Sequence, residues 1–147
     1  MPTFRIGETS GGYLTVDVYS RAYSTATDYW DGNWLRARIE VSAGSFRGRV
    51  EALIRSEEIL SFRDEVARVV DGGEASATFS TMEDWLTIEL RRGTSGLLAV
   101  RGELCDEPGI GNTLTFHVAG DWVSLPTLRT ALDKVMDAFP VLGAPDR

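Results

Sequence analysis

The side chains able to do chemistry are few and scattered. The sole histidine, His117, stands between Phe116 and Val118 on the polar parity of an alternating segment. The sole cysteine, Cys105, precedes Asp106 and Glu107, whose charges disfavour a thiolate. One histidine and one cysteine do not supply the ligand set of a zinc site. The carboxylates Asp17, Glu89 and Glu103 fall on separate segments without a chelating spacing. Serines are plentiful, but no Gly-x-Ser-x-Gly elbow presents one as a nucleophile beside His117. The glycines of "EPGIGN" (107–112) lack the Lys of a phosphate loop, and a strand pattern rather than a helix follows them, so a turn is expected there. The expectation is a protein with no catalytic residue, no metal and no cofactor.

Composition agrees with a binding domain. The chain has 147 residues, 43% hydrophobic and 25% charged, enough for one domain over 1–147 that buries most of its apolar surface. Fifteen Lys and Arg against 22 Asp and Glu give a net charge of -7, which disfavours nucleic acid and anionic membrane as partners and allows a basic one. No apolar run of signal-peptide or membrane-spanning type is present, so a cytoplasmic location is expected.

The elements that must position these residues read clearly from periodicity. Period-two alternation predicts strands over 13–19, 34–41, 46–54, 75–79, 85–91, 98–104 and 114–118. Helical spacing of Ile59, Phe62, Val66 and Val69 predicts a helix over 56–70, capped by Ser56 and stopped by Asp71-Gly72-Gly73. Leu125, Leu128, Leu132, Val135 and Met136 predict a second over 124–139, capped by Ser124. A shift of 66 superposes the helix faces and takes Val50 to Phe116, so a degenerate βββα repeat is expected. The fold class is then α+β: a mostly antiparallel sheet of about six to seven strands, two helices on its apolar face, and a wet face carrying Arg36, Arg38, Arg47, Arg49, Glu51, Glu89, Arg91, Arg101 and Glu103 as cross-strand ion pairs or as a recognition surface.

One stretch resists this accounting. "YWDGNWL" (29–35) sets two of the four tryptophans around Asp31-Gly32-Asn33. In a structural reading Trp30 packs over the open end of the sheet, Asp31 to Asn33 form a tight turn, and Trp34 takes the outward parity set by Leu35. Tyr13, Trp34 and Trp85 each precede an inward leucine, so a loop or a partner should cover them.

Together with "GSFRG", "SFRDEV", "MEDWLTIEL", "GELCDEPGIGNTLTFHV", "DWVSLPTLRTAL" and "FPVLG", this stretch resembles the WapI-type bacterial immunity proteins over nearly the whole chain. The chain departs from that family's pattern at Trp122, where Gln or Thr followed by Tyr is frequent. The resemblance implies a cytoplasmic antidote that binds and neutralises the toxic C-terminal domain of a secreted toxin, an RNA-cleaving one in the characterised case. It supplies no catalytic residues. If the toxin domain is basic, acidic residues beside loop aromatics should make the contact: Asp106 and Glu107 first, then Asp28, Tyr29 and Asp31. A small-molecule or peptide-binding domain, requiring a deep apolar pocket, and an unrecognised hydrolase, requiring His117 gathered with carboxylates, remain open alternatives.

Overall fold

The computed structural model describes residues 1–8 and 10–145. The domain extent expected from sequence, 1–147, includes positions 9, 146 and 147, outside the described residues. Eight strands and three α-helices follow one another as β1 (Thr3–Glu8), β2 (Gly12–Arg21), α1 (Tyr29–Gly32), β3 (Trp34–Ala43), β4 (Phe46–Arg55), α2 (Ser56–Val70), β5 (Ser76–Ser80), β6 (Leu86–Arg92), β7 (Leu97–Cys105), β8 (Thr113–Asp121) and α3 (Leu125–Ala138). The α+β class stands, but the single sheet does not. The strands form two antiparallel four-stranded meanders, β1-β2-β3-β4 and β5-β6-β7-β8. The repeat is therefore ββββα. The unit that periodicity missed is β1, which offers only Phe4 and Ile6 as alternating apolar residues before Gly7.

The shift of 66 nonetheless maps core onto core. Ile59, Phe62, Val66 and Val69 of α2 correspond to Leu125, Leu128, Leu132 and Val135 of α3, and all eight are buried. Nor do the helices lie side by side on one sheet face. They pack against each other, α2 along β5 and α3 along β1, so each repeat's helix shields the edge strand of the other repeat's sheet. Phe4 of β1, Phe62 of α2 and Phe79 of β5 meet at ring-centroid distances of 5.5 to 6.3 Å, tying both sheets and a helix into one core cluster.

The outer faces are polar. Arg38 of β3 stands opposite Glu51 of β4 and bonds it at 2.7 Å, while Tyr13 donates to Glu40 at 2.9 Å beneath the Arg5 guanidinium. Trp85 packs partly buried against the core. Among the described residues, no helix is long and apolar enough to cross a membrane.

Candidate functional site

The tryptophan-rich stretch folds as a helical turn, not the tight turn expected. Asp28 caps α1 by accepting the Asp31 N–H at 3.1 Å, and Asp31 itself is exposed. Trp30 does not close the end of the sheet. It is 47% exposed, meeting Tyr29 edge-on at 5.0 Å between centroids and lying 5.6 Å from the Arg55 guanidinium.

Beneath α1 lies a buried polar centre that the periodicity does not reveal. Arg55, the last residue of β4, has outward parity yet is only 1% exposed. Its guanidinium donates to the carbonyls of Tyr29 (2.7 Å) and Trp30 (2.8 Å), pairs with Glu57, and lies 4.7 Å from the centroid of the Trp34 ring. The cation thus covers the aromatic that parity alone leaves bare. Asn33, wholly buried, works on the other side of the turn. Its amide donates to the carbonyls of Tyr29 and Leu142 at 2.9 and 3.0 Å, and its oxygen accepts the Leu142 N–H at 2.8 Å. Arg21 adds bonds to the carbonyls of Gly32 and Pro140. The stretch is an anchor for the segment around 140–142.

The same centre corrects a cap. Arg55, not Ser56, is the N-cap of α2, because Arg55 keeps extended backbone angles and Ser56 is already the first helical residue, its hydroxyl donating to the Phe139 carbonyl. Glu58 accepts the Arg55 N–H at 2.7 Å and the Met82 N–H with its second oxygen. Burial pushes the Glu58 carboxyl above the usual range, against the pull of those two N–H groups. Ser124 does occupy the N-cap of α3, but its hydroxyl accepts no helix N–H and donates instead to the Asp121 carbonyl.

The second candidate loop spans the turn from β7 to β8. Asp106 accepts the Asn112 N–H at 2.7 Å and the Asn112 side-chain amide at 3.2 Å, and these bonds hold its carboxyl below the usual range. A side chain on Gly111 would collide with that carboxylate, since a Cβ there would lie 2.3 Å from it. Asp106 therefore builds the loop. Glu107 beside it is exposed and makes no side-chain bond or ion pair among the described residues, and Ile110 at the tip is 85% exposed.

The five candidate partner residues are not brought together. Asp28, Tyr29 and Asp31 sit at the Arg55 end of β4, while Asp106 borders a concavity with Arg47 and Arg49 at its start. Eight residues of strand separate Arg47 from Arg55, about 26 Å by strand rise. Sequence reasoning passed over Arg55 and Asn33, for which the density of aromatics around them was the only signal.

His117 is exposed and stands opposite Arg101 on β7, with Glu103 two residues along on the same face. A surface concavity of 540 Å³ between the start of β1 and α3 has a mixed lining, with Met1, Pro2, Pro126 and Ala131 beside Thr3, Thr127, Thr130 and Lys134.

The molecule is an α+β domain of two ββββα repeats. The chain belongs to the WapI-like immunity protein family, whose sequence model matches residues 5–140. It is thereby an immunity protein by family, a role that calls for a non-enzymatic inhibitor of a cognate toxin. No curated protein matches it significantly. Its fold is similar to that in the crystal structures of trypanosoma bruciei MRP1/MRP2, with a TM-score of 0.52 and 11% identity over 93% of this chain and 84% of that one. The plant transcriptional regulator PBF-2 gives a TM-score of 0.47 and 13% identity over 93% and 81%.

Proposed function

We propose that this chain is a cytoplasmic antidote that binds the toxic C-terminal domain of a secreted bacterial toxin, a basic nuclease domain, and blocks it without chemistry of its own. The family match over 5–140 carries this reading, and the charge of -7 supports it, because an acidic inhibitor associates faster with a basic target. Of the candidate contacts, Glu107 with Ile110 fits best: a free carboxylate beside an exposed apolar tip, on a loop that Asp106 keeps in shape. Asp31 beside exposed Trp30 forms the second contact of the same kind. Asp28 and Tyr29 hold α1, and Asp106 holds its loop, so their part is to present these neighbours.

The test is association kinetics with the C-terminal domain of a candidate toxin, taken from the gene neighbourhood of this chain if one is encoded there. Glu107→Lys should slow association and flatten its salt dependence while leaving the melting temperature unchanged. An unchanged on-rate at every salt concentration would move the contact off this loop. Absence of any binding by the unmodified chain would overturn the antidote reading for that toxin.

A further inference from the structure

The four outer sheet edges are treated unequally. β1 lies along α3, and β5 lies along α2, whose Glu65 and Glu58 take up the N–H groups of Thr78 and Met82. β4 and β8 pair on one side only. Unpaired edges are templates for another strand unless charge, proline or a covering element prevents it.

The hairpin geometry says which groups of β4 face outward. Ala43 and Phe46 close the turn around Gly44-Ser45, so Ala43/Phe46, Val41/Gly48, Ile39/Val50 and Ala37/Ala52 are the pairs that exchange backbone bonds. The N–H and C=O of Arg47, Arg49, Glu51 and Leu53 then point to the open edge. Arg55, next in that series, conforms: its N–H donates to Glu58 and not to β3. No hydrogen bond reaches the edge groups of the other four among the described residues. Arg47 and Arg49 are exposed and make no ion pair among the described residues, and the Glu51 side chain remains 63% exposed despite its bond to Arg38.

We infer that β4 is a self-association edge, pairing antiparallel with β4 of a second copy about a two-fold axis at Val50 and joining two four-stranded sheets into one. Charge selects both the occupant and the register. With the axis at Val50, each Arg49 faces Glu51 of the other copy and each Arg47 faces Leu53. A step one way puts the axis on Arg49, where Arg49 meets Arg49 between two Arg47–Glu51 pairs, and a step the other way sets Glu51 against Glu51, so the Val50 register alone contains no like-charge pair. Charges that keep unlike edges apart thus become complementary when this strand meets itself. β8 lacks the pattern, since its exposed series Thr113, Thr115, His117, Ala119 and Asp121 contains no Arg or Lys to pair with a carboxylate.

The inference does not rest on the antidote reading and is tested without toxin. Sedimentation of the full chain from low to high micromolar concentration should show the mass doubling. Arg49→Glu and Glu51→Arg should each remain monomeric, and an equimolar mixture of the two should restore the doubled mass, because both facing pairs are again opposite in sign. Should a substitution impair folding, amide exchange on the unmodified chain decides: the N–H groups of Arg47, Arg49, Glu51 and Leu53 should slow as concentration rises while those of Gly48 and Val50 do not change. A monomer at all concentrations, a dimer indifferent to both charge reversals, or concentration-independent exchange at the edge would each overturn it.

Discussion

The two strand-to-helix junctions occupy the same place in the repeat and are built on opposite principles. The shift of 66 that superposes the helices carries Arg55 onto Asp121 and Ser56 onto Trp122. At the first junction a buried cation gathers α1, Trp34 and Glu57, and Asn33 and Ser56 draw in the segment after α3. At the second, the polar groups stay in water and bond locally. Asp121 accepts the Val123 N–H at 3.1 Å and the Ser124 hydroxyl at 2.6 Å, and a 3₁₀ turn over Trp122–Ser124 replaces the first turn of a full helix. The contact there that reaches beyond the turn is Trp122, which bonds the Leu97 carbonyl at 2.6 Å under the Arg92 guanidinium. A repeat can keep its apolar pattern and diverge freely at its junctions. What differs is how far each depends on residues distant in the chain.

That contrast yields an order of effects. Arg55→Met should cost the most, about 3–5 kcal/mol by thermal or denaturant unfolding, because Glu57 and two carbonyls are left in a low-dielectric site without their cation. Asn33→Ala should follow at about 2–3 kcal/mol, since the Leu142 N–H and two carbonyls lose their partner. Amide exchange at Leu142 should accelerate in that variant more than exchange in β2 or β3, which separates release of the tail from general softening. Asp121→Ala should cost only about 0.5–1 kcal/mol, the size of a lost exposed cap. The comparison breaks if Asp121→Ala proves as damaging as Arg55→Met. It sharpens if Arg55→Met also exposes Trp34 to fluorescence quenching, since the cation is that ring's cover.

Much of the fold was legible because its signals are local. Strands β3 and β4 and helix α2 fall where alternation and helical spacing put them, within a residue or two. The inward leucines and valines of those segments are buried as their parity requires. The candidate site was less legible. Asp106 and Glu107 look alike as neighbours in sequence, yet one carboxylate is consumed by Asn112 and the other is free. Nothing local separates them, because the distinction depends on how the loop closes six residues later.

By itself, then, the sequence determined which residues alternate, which faces are apolar, where the helices lie, and, through its motifs, the family. Only the tertiary structure decided that the strands divide into two sheets, that each helix guards the other repeat's edge, and that Arg55 is buried against its parity. The physical reason is one of range. Side-chain period follows from the geometry of a single element, whereas strand partners, free edges and the burial of a charge depend on what distant segments bring to it.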